Sequence, residues 1–272
     1  MLNFRHFRPL TLAAALLAAT PVAAPSPVAT AATPRAQAPE IALQYRALLA
    51  GMQVGTVSAR LADHGADYRL DGKIETRGAL TLFLPWTYEA VSQGRIAGGQ
   101  LDPVNFWGAG EYKGKPRHIQ VTFSDSGATI DSARPDPADK PRRMVPQELR
   151  RGTLDPLSAL FALGRNIGRN GDCDQRVAVF DGRYRFDLHV MDDAVAGGHG
   201  KIRCRFFYEP IAGFKDDGDD YAATRDRPGT VWFQRLQPGG PAVPVRVEAD
   251  TGFGRFLLEL ADVAVGERTA QR

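Results

Sequence analysis

Tyr68-Arg69-Leu70-Asp71-Gly72-Lys73-Ile74-Glu75-Thr76 alternates without a break. Tyr68, Leu70, Gly72, Ile74 and Thr76 fall on one face; Arg69, Asp71, Lys73 and Glu75 fall on the other. Successive strand side chains point to opposite faces. The run therefore reads as a strand with one side buried and one in water, the pattern of an antiparallel sheet. The period continues in both directions. Upstream, Ile41, Leu43 and Tyr45 begin a strand. In the next, Met52 and Val54 are in phase, whereas Val57, Ala59 and Leu61 have slipped by one. Gly55 sits at the slip and reads as a bulge. Downstream come Trp86, Tyr88 and Ala90, then Val104, Phe106, Gly108, Gly110 and Tyr112, then Ile119, Val121 and Phe123. The paired glycines leave room for sharp curvature.

The alternation lapses over residues 132–153, a polar stretch rich in Pro and Arg. One helix follows, with Asp155 as N-cap, Pro156 at the first helical position, Leu157, Leu160 and Phe161 as its apolar stripe, and Gly164 as its stop. Strands then resume through Val177 and Val179, a turn at Asp181-Gly182, and Tyr184, Phe186, Leu188 and Val190. A strand carrying Cys204 follows, then a polar insert at 214–228 and three further strands over 230–236, 242–250 and 255–264. The total is roughly eleven or twelve strands, too many for a flat open sheet. The expected fold is mainly β: a strongly curved antiparallel sheet or open barrel wrapped around one short helix. Leu80, Leu82, Phe83, Leu84 and Pro85 alternate poorly and read either as a plug in the mouth of that sheet or as an apolar lip.

The N-terminus points to export. Arg5, His6 and Arg8 form a basic start, Leu10 to Ala19 an uncharged Ala/Leu run, and Ala29-Thr30-Ala31 a small-residue cleavage signature. Residues 1–31 are expected to be a signal peptide, with cleavage after Ala24 as the alternative. Residues 32–40 read as a disordered lead-in, 41–264 as a single β-rich domain and 265–272 as a C-terminal tail. The apolar run is shorter than the ~20 residues a span requires, and no transmembrane span is expected elsewhere. No Cys adjoins the cleavage region, which excludes a lipoprotein anchor. The expected location is the periplasm.

Composition excludes more than it selects. Of 272 residues, 43% are apolar and 24% charged, ordinary for a folded domain. The net charge is +3; setting aside the first 31 residues leaves 32 basic against 31 acidic side chains. Nothing in that balance suggests a nucleic-acid partner. Cys173 and Cys204 are the only cysteines. Cys204 shares a face with Ile202, Phe206 and Tyr208, and Cys173 shares parity with Val177 and Val179. Two core-facing thiols on neighbouring strands of an exported chain are expected to pair as a disulfide.

Catalytic and metal signatures are missing from the sequence. His64, His118, His189 and His199 lack partners at metal-ligand spacing and read as solvated, so no metal ligand or cofactor is assigned. The Asp216, Asp217, Asp219, Asp220 run lacks the spacing of a calcium loop. Arg142, Arg143, Arg150 and Arg151 read as an exposed basic loop. No nucleophile elbow, P-loop or zinc-protease motif occurs.

Val179-Phe180-Asp181-Gly182-Arg183-Tyr184-Arg185-Phe186 resembles the V-F-D-G-x-x-R-[YF] segment of exported bacterial proteins grouped as domain-of-unknown-function family 3108. Tyr45 with Gly55, Asp155-Pro156-Leu157-Ser158-Ala159, Cys204 leading into Pro210-Ile211-Ala212-Gly213-Phe214, and Pro244-Val245-Arg246 before Gly254 are similar to the same family. The resemblance covers about residues 41–263 and implies export and an antiparallel β fold. It implies no reaction, cofactor or catalytic residue. The resulting expectation is a non-enzymatic binder of an apolar or amphipathic ligand, a lipid or other cell-envelope component. Leu82, Phe83, Trp86, Tyr88 and Phe106 are its candidate ligand-binding residues. The alternative is a structural module with a filled core that engages a cell-envelope protein through an edge or loop. An enzyme would require a cleft with converging ionisable groups.

Overall fold

The computed structural model describes residues 40–136, 144–193, 200–214 and 228–266. The signal peptide, residues 32–39 of the lead-in, Arg142, Arg143, His199, the Asp216–Asp220 run and residues 267–272 lie outside the described residues.

Among the described residues, thirteen strands and one long helix form the domain. The first seven strands are β1 (Glu40–Leu49), β2 (Met52–Asp63), β3 (Asp67–Thr76), β4 (Trp86–Ala97), β5 (Gln100–Tyr112), β6 (Lys115–Thr122) and β7 (Thr129–Arg134). A single turn of helix, α1 (Leu80–Phe83), joins β3 to β4. After a 3-10 turn at Gln147–Arg150 comes α2 (Pro156–Asn170). The chain ends with β8 (Gln175–Phe180), β9 (Arg185–Asp192), β10 (Ile202–Ala212), β11 (Gly229–Arg235), β12 (Ala242–Thr251) and β13 (Gly254–Gly266). All thirteen belong to one antiparallel sheet, in the order β7-β6-β5-β4-β3-β2-β1-β13-β12-β11-β10-β9-β8. Two meanders are thus stitched together by the pairing of the first strand with the last, Glu40 opposite Gly266 through Leu49 opposite Phe256. The expected β fold holds, with one or two more strands than the alternation resolved.

The sheet does not close. Its β8 edge curls inside instead. Phe180 is fully buried with Phe106, Ile119 and Val121 from the inner faces of β5 and β6. A Cβ on Gly182 would lie 2.4 Å from the Ile119 side chain, so only glycine lets the β8–β9 turn come this close. The free edge of β8 is covered by Leu154, which donates to Ala178 O and accepts from Phe180 N, both at 2.9 Å. An exposed strand edge is thereby avoided.

Gly55 stands beside the expected bulge. The β1–β2 register passes from Ala47 opposite Gly55 to Leu48 opposite Gln53, which leaves Val54 as the extra residue. Gly108 serves packing as well as curvature, since a Cβ there would sit 1.9 Å from the Tyr88 hydroxyl. The Tyr88 ring lies across the space that side chain would fill.

The helix departs from expectation at its end and on one face. It runs past Gly164 to Asn170 and stops at Gly171, whose φ of 73° is the left-handed cap. Gly164 and Gly168 are buried mid-helix, where a Cβ would lie 2.3 Å from Ala242 O and 2.8 Å from Gly240 O respectively. They are contact glycines that seat α2 against the start of β12. The buried stripe is Ser158, Ala159, Phe161, Leu163, Gly164, Ile167 and Gly168. Leu160, expected in the stripe, is 51% exposed.

Asp155 caps the helix as the sequence indicates. Its Oδ1 accepts from Leu157 N and Ser158 N, both at 3.0 Å. Its Oδ2 accepts from the hydroxyls of Ser158 at 2.6 Å and Ser92 at 2.7 Å, which ties the helix to β4. Cys173 and Cys204 are joined, with Cα atoms 5.7 Å apart and both side chains fully buried. The bridge does not link neighbouring strands. Cys173 precedes β8, and Cys204 on β10 pairs with Asp192 on β9, so the bridge passes over the end of β9.

Candidate functional site

Every strand end can be assigned to one of two ends of the sheet by following the pairings. The turns between β1 and β2, β5 and β6, β8 and β9, and β12 and β13 share one end with α1. α2 occupies the interior toward the other end, where Gly168 meets Gly240 and Ala242. Between α2 and the first end lies a cavity of about 970 Å³. Its wall is mostly apolar, with Leu43, Leu61, Ile74, Ala90, Phe106 and Leu258 from five different strands and β13. Leu157, Leu160 and Phe161 of α2 form its floor. The exposure of Leu160 is thus exposure to this cavity.

Strand parity builds the wall. Leu70, Gly72 and Ile74 face the cavity, and the charges of the alternating residues are paired, Arg69 with Asp71 at 2.7 Å and Lys73 with Glu75 at 2.8 Å. Trp86, Tyr88 and Phe106 line the cavity as the sequence suggested. Leu82 and Phe83 do not: they are 80% and 78% exposed on α1 and point away from it. A helix of four residues can turn only one side chain of this run inward, and Leu84 is the one that reaches the wall. The segment is a lip and not a plug.

Polar groups gather at the mouth. Arg117, His118, Arg134, Asp136, Asp181 and Arg183 all border the cavity there. Asp181 accepts from Arg183 N at 2.8 Å and Tyr184 N at 2.7 Å, and burial raises its pKa. The Tyr88 phenol is pushed up to about 12 by burial first and by the Asp181 carboxylate second. Arg117 stacks on Tyr112 with 6.0 Å from guanidinium to ring centre.

Two other clusters of ionisable groups lie elsewhere. Tyr68, Ser92, Asp155 and Ser158 form a buried chain of hydroxyls around one carboxylate, with Tyr68 bonded to Ser158 at 2.7 Å. Tyr68 is pushed up to about 12 by burial, and the Asp155 pKa is raised for the same reason. Ser92, Asp155 and Ser158 are all 0% exposed, so no substrate reaches them; they lock the helix. On the outer face, Asp187, His189 and Glu209 bring ligand atoms within 4.8 Å of one another. His189, expected to be solvated, stacks on Phe207 at 4.4 Å and bonds Glu209 at 2.8 Å. Arg176 and Arg185 both bind Asp187, so the two carboxylates of the trio already face two guanidinium charges. The cluster is an ion-pair network, and a cation entering it would meet those charges.

Arg150 also departs from expectation. It is 9% exposed, donates to Val145 O at 2.9 Å through Nε and at 2.6 Å through Nη2, and covers the Phe180 ring; burial lowers its pKa. It is a structural cation under the 3-10 turn, where a basic loop was expected.

The sequence profile of a family described as "Protein of unknown function (DUF3108)" matches residues 43–261. The chain belongs to the DUF3108 family. The match spans the cavity wall, α2 and the Asp181 turn. No curated protein matches the chain. Among solved structures, the chain is similar to a β-barrel-like protein of domain of unknown function DUF1849 from Brucella abortus. Identity is 12%, the TM-score 0.48, and the match covers 84% of this chain and 98% of that one. No helix among the described residues is long and apolar enough to cross a membrane.

Proposed function

We propose that this DUF3108 protein is an exported, periplasmic binder that shelters the apolar part of a lipid or other amphipathic cell-envelope component and performs no reaction on it. The observation that carries the reading is the cavity of about 970 Å³ between α2 and the inner face of β1–β6. That volume lies at the upper end of the range of small-molecule sites, and predominantly apolar walls with a few polar groups are what such sites use. Each methylene moved from water to the wall contributes about 0.8 kcal/mol. A head group would stay at the mouth among Arg117, Arg134 and Arg183. A structural module with a filled core is disfavoured by the same volume.

Leu160→Trp tests the reading. Leu160 projects into the cavity from the helix, so the larger ring occupies ligand space without displacing core. The variant is expected to keep its thermal midpoint and lose uptake of phenylnaphthylamine, a fluorescent apolar probe. Uptake equal to wild type would end the proposal. Export is tested by fractionation: the periplasmic form should lack the residues before the Ala24 or Ala31 cleavage point.

A further inference from the structure

Phe253, Leu82, Phe83 and Met52 are the most exposed large apolar side chains among the described residues, at 85%, 80%, 78% and 69%. They come from three separate connections, and all three lie at the cavity-mouth end of the sheet. Met52 opens β2 after the Ala50-Gly51 turn, Leu82 and Phe83 sit on α1, and Phe253 is the tip of the β12–β13 hairpin. Backbone bonds hold these connections side by side: Ala50 N donates to Arg255 O at 2.9 Å, and Arg77 N to Val54 O at 2.8 Å. Among the described residues the turns of the opposite end, at 64–66, 98–99, 124–127 and 236–241, carry no comparably exposed large apolar side chain.

Charge follows the same polarity. The tips themselves, Leu49-Ala50-Gly51-Met52, Ala79-Leu80-Thr81-Leu82-Phe83-Leu84 and Thr251-Gly252-Phe253-Gly254, carry no ionisable group. Behind α1 lies the β5–β6 turn, fixed to it by Lys113 N donating to Pro85 O at 3.0 Å. That turn and the start of β6 supply Lys113, Lys115 and Arg117, and none of the three pairs with a carboxylate among the described residues. By contrast, Arg77 and Arg255 are neutralised locally by Glu75 and Asp250.

We propose that this end of the protein docks on an anionic lipid bilayer, with Met52, Leu82, Phe83 and Phe253 in the interfacial layer and Lys113, Lys115 and Arg117 against lipid phosphates. Uncharged apolar prongs with unpaired cations set one step behind them match the depth profile of a membrane surface, apolar below the phosphates. A protein partner would more commonly be met by a continuous patch or a free strand edge; these are separated tips, and the edges β7 and β8 lie elsewhere. The cavity opens at this end, with Leu84, Trp86 and Tyr112 of its wall immediately behind the tips. Docking would therefore turn the mouth toward the bilayer. The inference stands on exposure and charge, and does not require that the cavity be occupied.

The test is co-flotation of the mature protein with vesicles of equal parts phosphatidylglycerol and phosphatidylcholine, and with phosphatidylcholine alone. The expected result is binding to the anionic vesicles, weakened at least about tenfold in Phe83→Ser/Phe253→Ser, which removes two rings that docking would bury. Lys113→Gln/Lys115→Gln should lose about fivefold per cation on anionic vesicles and nothing on neutral ones. Thermal midpoints and phenylnaphthylamine uptake of all variants should match wild type, since none of the four residues touches the cavity. No vesicle binding by wild type, or binding that both variants leave unchanged, overturns docking even if the probe still enters the cavity. Equal binding to the two vesicle types overturns the anionic preference. Retained vesicle binding with probe uptake unchanged in Leu160→Trp would leave docking intact and refute only a ligand in the cavity.

Discussion

On the β8–β12 side of the sheet the inner face meets α2 directly: Leu163 and Ile167 pack with Val190, Val231, Phe233 and the Cys173–Cys204 bridge. On the β1–β6 side the inner face meets the helix near Tyr68, Leu70, Ser92 and Phe161 and meets Phe180 on β5 and β6, and the rest faces the cavity. Both faces have the same alternating composition. What differs is whether anything of the right size stands opposite. A barrel of about eight strands can be filled by its own side chains, and diameter grows with strand number. Thirteen strands enclose more than side chains can fill, and a helix of fifteen residues fills one end of the remainder. The space left over is a consequence of strand count, and the apolar wall inside it follows from the period of two.

This contrast can be broken by mutation. Ile167→Ala removes a side chain that is 0% exposed in the packed half and is expected to cost about 2–5 kcal/mol by denaturant unfolding. Leu160→Ala, on the same helix but facing the cavity, should cost less than about 1 kcal/mol. Equal losses at the two positions would mean that the cavity is closed by packing in solution. Cys204→Ser should cost about 3–4 kcal/mol through the loop freed between residues 173 and 204. Both thiols of wild type should resist alkylation until reduced; ready alkylation of folded, unreduced protein would remove the covalent support from the packed half.

A smaller effect sharpens the boundary between the halves, where Asp155 sits. Burial raises its pKa in the folded state. Its stabilising contribution is therefore complete below the unfolded value of about 3.9 and is lost as pH rises through the folded value. Asp155→Asn does not titrate. The stability of wild type relative to this variant should fall as pH rises from about 4 toward neutrality. A gap that widens instead would mean that the four donors on the carboxylate outweigh its burial. The smallest effect belongs to the lip: Phe83→Ser should change stability by less than about 0.5 kcal/mol, and a larger loss would place the lip in the core.

Much of the wall was legible beforehand. Trp86, Tyr88 and Phe106 were found because alternation reports which face a strand residue takes. Leu82 and Phe83 could be given no direction beforehand because the run Leu80–Pro85 has no period, and a hydrophobic residue outside a periodic element carries none. The same lack of a periodic signal hid Arg150, whose burial depends on Val145 and Phe180 meeting it from other segments. Leu160 was apolar on an apolar helix, and only the position of the sheet decides that it faces a void. Gly164 looked like a stop because glycine caps helices, and only the approach of β12 explains it mid-helix.

Local rules acting within a few residues, the side-chain period, turn chemistry and helix capping, determined the strands, the Val54–Gly55 bulge, the Asp155 cap and the burial of both cysteines from the sequence alone. The order in which the strands join, the inward curl of β8, the cavity left beside α2 and the gathering of Met52, Leu82, Phe83 and Phe253 at one end were decided only in the tertiary structure. Each of these depends on segments far apart in the chain, such as the pairing of β1 with β13, and the period of two that marks a face is silent about which strand lies beside it or how much space the curved sheet will hold.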